Sequence, residues 1–273
     1  MSVGAILAFS RGQLRLPWTV TLLDATAAVD LRRWCIAPVH DQGDVPLCTA
    51  AVATSIASYY AYRGQQREFV PSVLFNYRTS RMLAGHPNRA GSRLSHSFAA
   101  WDRFGLAPES LWPFNVDLVD RDPSVECFKA AQPWSRVGFV RLDRPGVEAS
   151  RYLALLRTVV AAGIPVSLEF PLHVNQYDAF DSGVLPMPPS DERSVGAHVV
   201  LVVGFDDAYP TGPAGPGALL IRNSWGIGWG DNGYGWLPYQ YLSLGLARES
   251  WMVLPRSWMD LGRSQKGAWC VGG

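Results

Sequence analysis

Cys48 stands six residues after Gln42, at the start of a stretch of helical character. Cysteine catalysis needs a thiolate, a nearby base, a group that orients the base, and donors for an oxyanion. From Cys48 to Gly64, Ala50, Ala51, Ala53, Ala57 and Ala61 are strong helix formers. Val52, Ile56, Tyr59 and Tyr60 recur at three- and four-residue spacing and predict one apolar face. Gly64 is a helix stop, with Arg63 in the last turn where the dipole favours a cation. A thiol at the other end meets unpaired backbone N–H groups, which lower its pKa. Gln42, in the polar loop before it, can donate a side-chain amide beside the Cys48 backbone N–H. His198 begins an apolar, β-branched run and is a base held rigidly. Asn223 ends the next such run, where its carbonyl can fix the imidazole tautomer while Trp225 shields that bond from water. Taken singly, Cys48 reads as a buried helix cysteine and His198 as a satisfied core histidine, and spacing alone does not pair them.

The elements that must position these groups divide at about residue 136. Before it, a segment led by Pro71 starts a helix over residues 71–77, 85–93 is an exposed turn-rich loop, and 94–104 is an amphipathic helix with Leu94, Phe98 and Trp101 inward and Gly105 as its stop. Trp18 to Leu23 predicts an edge strand. Pro108, Pro113, Pro123 and Pro133 predict irregular connections through the next thirty residues. After 136, a helix is predicted over 151–162, and strands over 165–170, 197–205, 218–222, 235–238 and 251–254. The run Tyr209 to Gly217 is a turn-rich insertion that predicts no regular structure. Helices first and strands second give an α+β fold.

The 273 residues carry 24 Lys and Arg against 23 Asp and Glu, a net charge of +1 that gives no case for nucleic acid or an anionic membrane as partner. No apolar run reaches transmembrane length, and the N-terminal apolar stretch from Val3 to Phe9 lacks the basic start of a secretory signal. Cys35, Cys48, Cys127 and Cys270 have no disulfide-framework spacing and predict reduced thiols in a cytoplasmic setting. Cys35, His40 and Cys48 lack the close ligand pairs of common zinc sites, so no metal and no cofactor is expected.

Three segments together resemble the papain-type cysteine peptidases. Asp41-Gln42-Gly43 followed by Cys48 resembles the family's oxyanion glutamine and nucleophile. Gly196 to Phe205 (GAHVVLVVGF) is similar to its histidine strand. Ile221-Arg222-Asn223-Ser224-Trp225-Gly226, with Trp229-Gly230 and Gly233-Tyr234, is similar to its asparagine segment. Weaker similarity at Asp30-Leu31-Arg32, 105–114, 163–166 and 182–184 extends the resemblance over about residues 30–240 in the family's order.

The resemblance implies that Cys48 is the nucleophile, His198 its base and later its acid, Asn223 the orienter and Gln42 the oxyanion donor. It implies a single papain-like catalytic domain over 1–273, with a helical lobe at 30–135, a β-rich lobe at 136–255, a tail at 256–273 and the cleft between the lobes. Gly91 and Ser92 match the loop that binds substrate backbone, and Ala197 and Trp225 line the same cleft. The implied activity is hydrolysis of peptide or peptide-like amides through a Cys48 thioester. An acyl transferase in which an amine replaces water would use the same residues, and a silent binding module is the alternative outside enzymes. This sequence departs from the pattern at Val45, where secreted members have a disulfide cysteine, and at Thr49, where well-known members have tryptophan. The 47 residues before Cys48 carry no inhibitory propeptide signature.

Overall fold

A computed structural model describes residues 8–10, 13–15, 26–189 and 193–255. The strand expected at 18–23 and the tail at 256–273 lie outside these residues. Four helices come before the main strands: α1 (Cys48–Gln65), α2 (Val73–Leu83), α3 (Leu94–Phe104) and the short α4 (Val125–Ala131). Helices α5 (Ala149–Ala161) and α6 (Gln240–Ser243) are interspersed with the strands. The strands are β1 (Ala8–Ser10), β2 (Gln13–Arg15), β3 (Ala28–Asp30), β4 (Val137–Arg141), β5 (Val166–Leu172), β6 (Gly196–Pro210), β7 (Pro216–Arg222), β8 (Tyr234–Pro238) and β9 (Arg248–Pro255). They form one sheet in the order β1-β2-β4-β9-β5-β6-β7-β8, with β3 also on β6, and every pairing except β2–β4 is antiparallel. The α+β architecture is as expected.

Local chemistry explains most boundaries. Ser72 accepts the Phe75 N–H at 3.1 Å and starts α2, which leaves Pro71 outside the helix instead of in its first turn. Gly105, at φ 80, ends α3 by sending its N–H to the Trp101 carbonyl. Any side chain there would collide with the Ala131 carbonyl, so glycine is required twice over. Ser124 caps α4 through the Cys127 N–H, and Pro123 lies just before that cap, so the prolines bracket a helix in a stretch expected to be irregular. The expected insertion at 209–217 is largely regular: β6 runs to Pro210, a 3-10 turn covers Gly212–Ala214, and β7 begins at Pro216.

The largest correction concerns α1. Its residues from Thr49 to Ala61 are buried apart from Ser55, so the helix has no single apolar face and runs through the interior between α2 and α3 on one side and β6 on the other. Alanines allow that close approach, and three of its hydroxyls donate to backbone carbonyls. The Thr54 hydroxyl donates to the Ala50 carbonyl at 2.9 Å, Ser58 to Phe69 at 2.7 Å, and Tyr59 to Gly163 at 2.7 Å. The helix runs one residue past Gly64 and closes at Gln66 with φ 52. Val52, Ile56 and Tyr59 share one continuous core with Val199 to Val203 of β6, which fixes the cysteine end of α1 against the histidine end of β6. Among the described residues no helix is long and apolar enough to cross a membrane.

Candidate active site

Cys48 is the first residue of α1, and Leu47 before it offers no side-chain cap, so the N–H groups of Cys48 and Thr49 stay open while that of Ala50 goes to the Leu47 carbonyl at 2.9 Å. The sulfur faces the backbone N–H groups of Cys48, Thr49 and Val199, and the last of these follows His198 directly in β6. Nucleophile and base candidates, 150 residues apart in sequence, are thereby brought to one place. No direct hydrogen bond joins Cys48 to His198 among the described residues. Catalytic bonds of this kind commonly tighten only when substrate binds.

His198 is 3% exposed, and its Nε2 lies 2.7 Å from Asn223 Oδ1. The same Oδ1 accepts the Ser224 backbone N–H at 2.8 Å. A backbone N–H can only donate, so the atom it meets is the amide oxygen, and His198 Nε2 must carry the hydrogen it shares with that oxygen. Nδ1 is then the lone-pair nitrogen. Trp225 stacks on the imidazole with centroids 4.7 Å apart, and Phe170, paired with His198 across β5 and β6, meets the ring edge-on at 5.8 Å. Trp225 is itself held between Tyr177, stacked at 5.6 Å, and Trp229, edge-on at 5.8 Å. The bond between His198 and Asn223 is thus enclosed by rings, as the sequence predicts for Trp225.

Gln42 joins the other side. Its Nε2 donates to the Val45 carbonyl at 3.0 Å, and its Oε1 accepts the Ser224 hydroxyl at 2.6 Å. Its backbone N–H donates to the Ser224 carbonyl at 2.9 Å, and Gly226 N–H to the His40 carbonyl at 2.9 Å. One Nε2 hydrogen remains for an oxyanion. Gly226 has φ 76, and a Cβ there would press on the Asp41 carboxyl at 3.1 Å, so glycine permits this seam. The buried Arg222 guanidinium adds to it, donating to the carbonyls of Ala37 at 2.7 Å and Pro38 at 2.6 Å and to the Tyr234 hydroxyl at 2.6 Å.

Burial dominates the titration of both candidate groups. It pushes the Cys48 thiol up, against the three N–H groups that favour the thiolate, and it lowers His198 to about 4, against the Asn223 bond that favours imidazolium. The helix-terminus expectation of a depressed thiol pKa therefore fails for the thiol considered alone. Desolvation opposes each charge separately, whereas moving the proton from sulfur to imidazole creates both charges side by side, each compensating the other.

Of the substrate-binding candidates, Ala197 is exposed beside His198 and Trp225 roofs it. Gly91 and Ser92 lie in the loop before α3, with no hydrogen bond to the catalytic candidates. The Gly91 N–H is taken by the Tyr77 hydroxyl at 2.9 Å, which leaves its carbonyl for a partner. Buried Arg78 and Arg81 fasten the loop through the carbonyls of Pro87 at 2.6 Å and Arg89 at 3.4 Å. Thr49 sits under the cleft and shares a 3.0 Å bond with the Ser97 hydroxyl, a polar contact where a larger ring would not fit unchanged. Sequence reading assigned no role to Ser224, Arg222 or Tyr177. A charged residue ending the apolar run 218–221 was the one available signal for Arg222.

The family described as papain family cysteine protease matches residues 25–252. The chain belongs to the papain family. It is 27% identical over 219 residues to an uncharacterized peptidase C1-like protein of Acanthamoeba polyphaga mimivirus, covering 78% of this chain and 68% of that one. It is 36% identical over 209 residues to cathepsin L1 of Drosophila melanogaster, covering 76% of this chain and 52% of the relative. Of a Blomia tropicalis cysteine protease the match likewise spans less than two thirds, 59%. Among solved structures, xylellain, a cysteine protease of Xylella fastidiosa, superposes with a TM-score of 0.71 at 28% identity, covering 84% of this chain and 86% of that one. The chain is a cysteine peptidase with the papain-like fold.

Proposed function

We propose that this papain-family peptidase cleaves peptide bonds through an acyl-enzyme on Cys48, with His198 as base and acid, Asn223 as orienter and Gln42 as oxyanion donor. The observation that carries this reading is the doubly held Asn223 Oδ1, which fixes His198 as the Nε2–H tautomer and turns a basic Nδ1 to proton transfer. Nδ1 takes the thiol proton as sulfur attacks the substrate carbonyl. The negative oxygen is met by the free Gln42 Nε2–H and the Cys48 N–H. The C–N bond breaks as His198 gives its proton to the leaving amine. Water then attacks the thioester while His198 takes its proton and returns it to sulfur, releasing the acid. Gly91, Ser92, Ala197 and Trp225 contact the bound chain in this reading. A reducing, cytoplasmic setting is supported by Cys35, Cys48 and Cys127 being free thiols.

Iodoacetamide near pH 6 should modify Cys48 well ahead of Cys35, whose buried thiol is pushed up to about 11. Cys48→Ala should abolish peptide cleavage. Equal, slow labelling of all the thiols, or turnover surviving in the variant, would remove the proposed mechanism.

A further inference from the structure

One carboxylate near the candidate site has no role in this chemistry. Glu169 lies in β5, opposite Val199 and next to the residue that pairs with His198. Val199 is the residue whose N–H faces the Cys48 sulfur. Side chains alternate along a strand, so Phe170 and His198 share one face of the sheet and Glu169 and Val199 the other. Trp225 stacks on the His198 ring, and Tyr177 stacks on Trp225 in turn. Glu169 instead feels the charge of Arg93, the residue after Ser92. It therefore lies within electrostatic reach of the loop that holds Gly91 and Ser92.

Its surroundings leave Glu169 without a bonded cation: Arg248, opposite it in β9, donates its Nε to the Gly245 carbonyl at 2.8 Å. The carboxylate is half-buried and has no hydrogen bond or ion pair among the described residues. The nearest acids are already served: Glu249 is bonded to Arg141 at 3.0 Å, and Asp143 to Arg141 at 2.7 Å and the Ser250 N–H at 2.8 Å. Burial raises the Glu169 pKa first, the charges of Glu249 and Asp143 add to it, and Arg141 and Arg93 oppose it from a distance. The strand itself presents the residue. The pairing of β5 with β9 slips between Ser167 and Glu169, which breaks the ladder at the point where this side chain emerges. A partly desolvated carboxylate that lacks a partner and sits beside a nucleophile discriminates strongly in favour of a ligand that supplies the missing cation.

Resting on the peptidase reading above, we infer that Glu169 is a specificity-determining residue that receives a lysine or arginine side chain of the peptide, on the Gly91 side of the reacting carbonyl. A bound cation would act twice. It would pair with Glu169, and it would cancel the negative charge that now opposes thiolate formation at Cys48. The preference should therefore appear in kcat as well as in KM.

The test uses two series of fluorogenic peptides that place arginine or norleucine, of similar length, at each position in turn. The full-length wild type should favour arginine at one position by tenfold or more in kcat/KM. In Glu169→Gln, which keeps the shape and removes the charge, the ratio of arginine to norleucine at that position should fall to about one. Stoichiometric iodoacetamide incorporation into Cys48 certifies that the variant's site is folded. No arginine preference at any position in the wild type, or a preference that survives Glu169→Gln, would overturn the inference. A wild type that cleaves no peptide in either series would instead overturn the peptidase reading on which it rests.

Discussion

Replacing Asn223 with alanine removes the acceptor for two donors at once, His198 Nε2–H and the Ser224 backbone N–H, held at 2.7 and 2.8 Å. Both lie in surroundings from which water is excluded, since His198 and Asn223 are 3% and 5% exposed. A buried donor left without a partner costs about 1–3 kcal/mol. The Ser224 N–H is equally stranded in ground and transition states, so its cost falls on stability. The His198 bond strengthens as the ring becomes cationic, so its loss falls on the rate. Assigning about 2–3 kcal/mol to the latter predicts a roughly 30- to 150-fold fall in kcat/KM. The measurement is kcat/KM on a peptide substrate, normalised to sites titrated with a thiol reagent. A companion variant sharpens it. If Trp225 acts by keeping water from this bond, Trp225→Ala should cost far less in the Asn223→Ala background than alone, a coupling of about 1 kcal/mol or more. An Asn223→Ala enzyme within threefold of the wild type, or strict additivity of the two changes, would refute the reasoning.

Two further outcomes are expected. Ser224→Ala frees the Gln42 carboxamide to turn, so kcat should fall about five- to tenfold with KM little changed, while Gln42→Ala should cost about a hundredfold; steady-state kinetics separates the two. His40 is half-buried with its Nε2 at 3.2 Å from the Thr54 hydroxyl, and desolvation lowers its pKa from an ordinary 6.5 to about 4. The unfolded chain then takes up a proton between those values and the folded one does not. Stability contributed above pH 6.5 is lost as pH falls toward 4, about 3 kcal/mol for this residue. Melting curves at pH 7 and pH 4.5 should show a smaller loss in His40→Gln than in the wild type.

The fold was most legible where local chemistry and tertiary packing agree. Helix α3 has both its boundaries and its inward residues Leu94, Phe98 and Trp101 written in periodicity and in Gly105. Helix α4 was hidden because Pro123 and Pro133 read as breakers, although Ser124 was a visible cap between them. The burial of α1 on all sides between Thr49 and Ala61 could not be read from its pattern, because alanine, serine and threonine signal neither face clearly. The three short strands β1, β2 and β3 were not foreseen, since three residues carry no alternation to count. At the candidate site, Gln42, Cys48, His198 and Asn223 were legible as residue types, but only the β6–β7 register and the position of α1 bring them together. Burial reversed the direction expected for the Cys48 thiol, because a helix terminus is visible in sequence and desolvation is not. Glu169 gave no signal at all. A glutamate in an apolar run is unremarkable until the neighbouring strand sets it opposite Val199, whose N–H faces the sulfur.

The seam that ties residues 35–42 to 222–226 decides how the molecule can come apart. Carbonyls of Ala37 and Pro38 on Arg222, the His40 carbonyl on Gly226, and the paired bonds between Gln42 and Ser224 join the nucleophile's leading loop to the sheet before the helix begins. Gln42, His198 and Asn223 consequently travel as one body. Between Gln42 and Cys48 lie five residues, and only Val45 among them is bonded back to Gln42 through its carbonyl and N–H. Breathing of the helices against the sheet would therefore be absorbed by those few residues and would displace Cys48, its sulfur and its backbone N–H together. Such a molecule can be switched off by withdrawing one residue, with Gln42, His198 and Asn223 left assembled.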